Sequence, residues 1–261
     1  MKDRNEAVRW CRKSADQGNA EAQCYLGVYY GGYLPDSSDI RKDKTESFKW
    51  FRKAAEQNHT SAQAYLGNCY YHGDGVPQDM AEGVKWYRKA AENGHDGAQW
   101  NLGGCYYEGK GVSQDFAEAV KWYRKAAEQG HVSAQYMLGR CYAEGQGVPE
   151  DRTKAVEWFR KAAESGDSSA QWLLGAHYLQ GWGVTKDATE AVKWFRKSAD
   201  QGDAKGQYLL GSCYYTGEGV WPDKDEAIKW YRKAAAQGEE HARKCLQNLE
   251  PIRTIFNSWF R

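Results

Sequence analysis

Seven cysteines and six histidines are the residues best equipped to hold a metal, form a disulfide or attack a substrate, so their spacing is the first test of chemistry. The cysteines are Cys11, Cys24, Cys69, Cys105, Cys141, Cys213 and Cys245, an odd number with no C-x-x-C. Cys69, Cys105, Cys141 and Cys213 share one place in a recurring register, with His177 at that place in another copy. Elements packed side by side sit about 8–10 Å apart, beyond disulfide reach, so these positions read as small buried thiols in a reducing compartment. His59, His95 and His131 recur once per copy and, with His72, His177 and His241, give no H-E-x-x-H or other close metal spacing, so they read as solvated loop histidines. Gly73-Asp74-Gly75 and Gly109-Lys110-Gly111 begin like a phosphate loop but lack its third glycine and follow a helical pattern rather than a strand, which makes them turns. No S-x-x-K paired with K-T-G is present. The sequence therefore nominates no catalytic residue, no metal ligand and no cofactor.

Charge excludes further classes. Lys and Arg total 36 against 35 Asp and Glu, a net charge of +1 that gives no electrostatic footprint for nucleic acid. Arg-Lys dyads do recur, at Arg12-Lys13, Arg52-Lys53, Arg88-Lys89, Arg124-Lys125, Arg160-Lys161, Arg196-Lys197 and Arg232-Lys233. Six of them are followed within a turn by an acid (Asp16, Glu56, Glu92, Glu128, Glu164, Asp200), so the expectation is a solvated face neutralised by i,i+4-type pairs, with no nucleic-acid partner. No apolar run approaches the ~18 residues of a membrane span, and the start, Met1 to Glu6, carries no apolar signal segment, so the default location is the cytoplasm.

What positions these residues is a repeat. Trp10, Trp50, Trp86, Trp122, Trp158, Trp194 and Trp230 are spaced by 40 residues once and by 36 five times, and the same interval governs six Leu-Gly pairs from Leu26-Gly27 to Leu210-Gly211. The four-residue excess falls in Gly31 to Ser38, a turn-rich stretch that reads as a lengthened loop. Seven residues before each Trp stands an Asp, with a Glu three residues further on in six copies and Lys154 in the other, the start signal of a helix B. Eight residues after each Trp stands Gly, or Asn58, which closes that helix. Two-glycine turns such as Gly145-Gln146-Gly147 join helix B to a preceding antiparallel helix A. In the copy at 61–73, Ala62, Gln63, Leu66, Gly67, Cys69, Tyr70 and Gly73 fall on one half of helix A, the expected packing face. A lone helix pair cannot bury such a face, so copies must stack.

The run from Ala98 to Gly130, A-x-x-x-L-G-x-x-Y-x-x-G-x-G-V-x-x-D-x-x-x-A-x-x-W-x-x-K-A-A-x-x-G, resembles the Sel-one-like repeat, a relative of the tetratricopeptide repeat. The resemblance implies an all-α, right-handed α/α superhelical solenoid that works as an adaptor for protein complexes. The expected division is a leading helix B of an incomplete repeat (1–18), six repeats (19–58, 59–94, 95–130, 131–166, 167–202, 203–238) and a C-terminal capping helix with an amphipathic tail (239–261). A secreted, cysteine-rich branch of the family is described as β-lactamase-like or penicillin-binding, which supplies the alternative of a cell-wall-directed hydrolase or a glycan or peptide binder. This sequence lacks the second cysteine of each pair that marks that branch.

The copies differ on the opposite half of helix A. Trp100, Tyr136, Trp172 and Tyr208 form one row, Asn68 and Arg140 belong to a second, and Tyr71, Tyr107 and Tyr215 to a third. With helix A inside a superhelix these positions line its concave wall, and rigid aromatics with polar tips suit a peptide or partner protein. Two arrangements satisfy the pattern: a groove, or rings packed against neighbouring A helices. The chain begins inside a period, which leaves two openings, a fragment of a longer protein that has lost a targeting segment or an end covered by a partner. The tail from Ile252 to Arg261 suits either folding back on the last repeat or head-to-tail association with a second copy.

Overall fold

The computed structural model describes residues 2–34 and 42–259, with side chains for 6–34 and 42–249. Fourteen helices and no strand occur among them, in two compact units. The unit Met1–His131 holds α1 (Lys2–Asp16), α2 (Ala20–Gly31), α3 (Lys44–Glu56), α4 (Thr60–His72), α5 (Met80–Glu92), α6 (Asp96–Glu108) and α7 (Phe116–Glu128). The unit Val132–Arg261 holds α8 (Val132–Glu144), α9 (Arg152–Glu164), α10 (Ser168–Gln180), α11 (Ala188–Asp200), α12 (Ala204–Thr216), α13 (Lys224–Ala236) and α14 (Glu240–Trp259). Even-numbered helices are A and odd-numbered helices B. Within each unit every helix packs on its chain neighbours. The second half of the lengthened loop, from 35 on, lies outside the described residues, as do 39–41 after it.

Helix B begins where a capping aspartate accepts a backbone N–H: Asp43, Asp79, Asp115, Asp151, Asp187 and Asp223 each take the amide three residues on at 2.9–3.0 Å. The backbone N–H of the same aspartate returns to the carbonyl of the helix-A tyrosine, as in Asp79 to Tyr70 at 2.8 Å, which ties the two helices of a pair. The Glu at the third position turns its carboxylate to a Lys three residues on (Lys85 to Glu82 at 2.7 Å) rather than back to the cap. Helix B ends on a left-handed residue, Asn58 at φ 63° where the others have glycine. The two-glycine turn has a steric cause as well as a torsional one: Gly75 has φ 76°, and a Cβ there would lie 2.1 Å from the Lys44 carbonyl oxygen.

The core is built from the repeated types. Leu26, Leu66 and Leu102 in one unit, and Leu138, Leu174 and Leu210 in the other, have no accessible surface. Beside each stands the glycine of the Leu-Gly pair, and its missing side chain is replaced by the ring next to the repeated Trp: Phe51 on Gly27, Tyr87 on Gly67, Tyr123 on Gly103, Phe159 on Gly139, Phe195 on Gly175 and Tyr231 on Gly211. A buried amide relay adds direction. Gln63 donates to the Ala55 carbonyl of the preceding helix B and accepts from Asn93, and Gln171 and Gln207 repeat the arrangement with Gln201 and Gln237. Buried polar groups placed this way cost little, because they remain hydrogen-bonded.

Two expectations are corrected here. His59, His95 and His177 are not solvated loop residues: the Nδ1 of His59 and of His95 accepts the backbone N–H of Ala62 or Ala98 at 3.2 and 3.1 Å, capping helix A as Asn19, Asp167 and Asp203 do elsewhere, and His177 is buried within α10. The Arg-Lys dyads are not a uniform salt-bridged face. Arg52 does pair with Glu56 at 2.8 Å, but Arg12, Arg88, Arg160 and Arg196 donate to the hydroxyls of Tyr30, Tyr106, Tyr178 and Tyr214 on the next helix A. The lysines lie over their own tryptophans, as Lys89 does at 3.8 Å from the Trp86 centroid. Arg88, Arg160 and Arg196 each follow directly on a buried ring, Tyr87, Phe159 or Phe195, so the side chain starts at the packed edge from which the next helix A is in reach.

At the far end Ala242 is buried against Ala227, Tyr231 and Ala234, with Cys245, Leu246 and Leu249 packed beside it. α14 runs on through Pro251 to Trp259, and the tail side chains lie outside the described residues.

Candidate partner-binding stripe

The varied face of helix A contains all nine nominated residues, distributed between the two units. In the first, Trp100 packs 5.3 Å from the Tyr123 ring and stacks on His131 at 5.4 Å and 20°. Tyr107 stands 6.3 Å from the same Tyr123 and edge-on to Phe116. Asn68 Oδ1 accepts from the Tyr87 hydroxyl at 2.6 Å and from Asn101 Nδ2 at 3.3 Å, and Tyr71 lies 5.9 Å from the Tyr87 ring. Trp100 and Tyr71 both line a cavity of about 210 Å³ between α4 and α6, whose other walls include Tyr87, Asn101 and Gly104.

In the second unit, Tyr136 lies 6.4 Å from Phe159, and Tyr208 lies 6.0 Å from Tyr231 and 5.6 Å from His241. Trp172 packs against the core cluster of Phe195, Leu210 and Trp230. Arg140 pairs with Glu144 on its own helix at 2.9 Å, and Tyr215 is exposed. The four rings of the main row share one state. Each is half-buried, held on one flank by an aromatic or core residue of helix B and retaining accessible surface.

Asn101 and Tyr87 join the stripe although the sequence did not nominate them, while Gly104 stands in the varied row of Asn68 and Arg140. The signal was present in one register: the position of Asn101 is Tyr25, Tyr65, Met137, Leu173 and Leu209 in the other copies, so a lone polar residue marks the cavity.

The five buried thiols are poor nucleophiles. Burial pushes Cys24, Cys69 and Cys213 up to about 12 and Cys105 and Cys141 up to about 11, so they stay protonated near neutral pH. All seven cysteines are free. Among the described residues no group of three His, Cys, Asp or Glu side chains is placed to hold a metal. No helix among them is long and apolar enough to cross a membrane.

The Sel1 repeat model matches seven segments, 1–19, 20–59, 60–95, 97–131, 132–167, 168–203 and 204–239. The chain is a Sel1 repeat protein. Among solved structures, a protective antigen of uropathogenic Escherichia coli strains with an SLR fold is 43% identical, with a TM-score of 0.85 over 90% of this chain. The chain spans 50% of the length of that protein. A Sel1 repeat protein from Oxalobacter formigenes is 36% identical, with a TM-score of 0.71, over 84% of this chain and 86% of that one. No curated protein matches the chain. The architecture is that of a helical repeat protein, and Sel1 repeats generally mediate protein–protein interaction.

Proposed function

We propose that this Sel1 repeat protein is a non-catalytic scaffold or adaptor that holds a peptide or partner protein on the varied face of its A helices. The observation that carries the proposal is the half-buried state of Trp100, Tyr136, Trp172 and Tyr208. One flank of each ring is fixed by helix B, so little rotamer freedom is lost on contact, while accessible aromatic surface remains to be desolvated by a partner. Buried protonated thiols supply no competing nucleophile.

The test is the double variant Trp100→Ala with Trp172→Ala, used beside the wild type in affinity capture from the source cell. The expected result is loss of specific partners with helical circular dichroism retained. Cooperative loss of folding would show that the rings serve the core, and an unchanged set of captured partners would place the contact surface elsewhere.

A further inference from the structure

The copies themselves indicate what fits the cavity in the first unit. In the first full copy, Tyr65 stacks on Phe51 at 4.7 Å and 11° and on Tyr33 at 5.6 Å and 26°, so three rings fill the space beside α2 and α4. Tyr33 comes from the lengthened loop, and its ring occupies the place where a side chain on Gly31 would stand. One copy later, Tyr71 takes the register of Gly31, Tyr87 that of Phe51, and Asn101 that of Tyr65. The outer two rings persist, while a short amide stands where the middle ring was. Gly104 enlarges the space, since a Cβ there would meet only the Tyr123 hydroxyl, at 3.9 Å. The resulting cavity of about 210 Å³ is walled by Tyr71, Tyr87 and Trp100.

We propose that this cavity is a pocket for one aromatic side chain, Tyr or Phe, of an extended partner segment. Its size favours a single side chain: pockets that take whole small-molecule ligands run to about 300–1,000 Å³. Its walls favour a ring, because aromatic neighbours gain stabilisation beyond area burial in offset or edge-on contact. The Asn101 amide, positioned by its hydrogen bond to Asn68, gives the pocket a polar edge beside the three rings, and His72, Cys105 and Glu108 complete the lining. This rests on the stripe being the contact surface, and it names the partner chemistry that the stripe selects.

The probe is p-cresol, the side chain of tyrosine, titrated into the full chain and followed by amide and indole N–H resonances. Shifts at Asn101, Gly104 and Trp100 are expected to saturate in the low millimolar range, of order 4 kcal/mol of affinity. Asn101→Tyr and Asn101→Leu restore the residue types found at Tyr65 and Leu173, and each should weaken p-cresol binding at least about tenfold. Cyclohexanol, of similar size without the π-system, should bind several-fold more weakly. Absence of saturation in the wild type at about 20 mM, unchanged binding in a folded Asn101 variant, or equal binding of cyclohexanol would each overturn the proposal. The wild-type titrations decide alone if both variants lose helicity. Failure here leaves partner capture by the stripe intact, whereas p-cresol binding with undiminished capture by the Trp100 and Trp172 double variant would place the contact surface elsewhere and overturn the cavity's role in holding a partner, leaving only a site for a free phenol.

Discussion

Gly103 and Gly104 are adjacent on α6, yet replacing each with alanine should move stability in opposite directions. A Cβ on Gly103 would lie 2.6 Å from Tyr123 Cδ1, 2.8 Å from Cε1 and 3.3 Å from the Ala119 carbonyl oxygen. Carbon atoms prefer about 3.5–4.0 Å, so the ring must withdraw by about 1 Å, and it has little room because Tyr123 is only 2% exposed. Overpacking of this kind costs about 1–3 kcal/mol. Alanine returns about 0.8–1.0 kcal/mol of helix propensity, leaving Gly103→Ala destabilised by about 1 kcal/mol. At Gly104 the nearest atom is the Tyr123 hydroxyl at 3.9 Å, ordinary contact, so Gly104→Ala keeps the propensity gain and is stabilised by up to about 1 kcal/mol. The assay is guanidinium unfolding at neutral pH, with midpoints compared at constant m. The decisive quantity is the gap between the two variants, about 2 kcal/mol. If the two midpoints coincide, or Gly103→Ala is the more stable, the ring-for-side-chain account of the Leu-Gly pair is refuted.

Acid should weaken the second unit through His177, whose pKa is held below its ordinary 6.5 by burial, with Arg152 adding to the effect. The unfolded chain takes up the proton first, so the contribution is complete above about pH 6.5 and is lost as pH falls through the lower folded value. The unfolding midpoint should drop between neutral pH and pH about 5, and His177→Cys, the residue type at Cys141 and Cys213, should flatten that slope; an equal slope in the variant would contradict the assignment. The link between Arg88 and the Tyr106 hydroxyl, 2.5 Å, should make Tyr106→Phe cost about 0.5–1.5 kcal/mol. A double-mutant cycle with Arg88→Met should show the two losses to be non-additive, and simple additivity would mean that the contact contributes nothing.

The periodic residues made the helices and their ends legible in the sequence. Asp79 caps, Asn58 terminates and Gly73-Asp74-Gly75 turns because each is a local preference of one residue type for one backbone state, so a single copy suffices and recurrence removes chance. The Leu-Gly face was legible for the same reason. The family followed from the whole pattern, and the model matches agree with it.

Partner choices across helices were decided only by packing. That His59 caps a helix instead of facing water depends on its Nδ1 lying 3.2 Å from the Ala62 amide. That Arg88 abandons Glu92 for Tyr106 depends on how closely the next helix A approaches. The cavity beside Asn101 exists because two rings held by different helices stand where a third is missing, and no single-chain period records a missing volume. Local torsional and hydrogen-bond preferences act over a few residues and are written in order along the chain. Competition among partners 18 or more residues apart, and the space left over when they have settled, exists only after the helices have stacked.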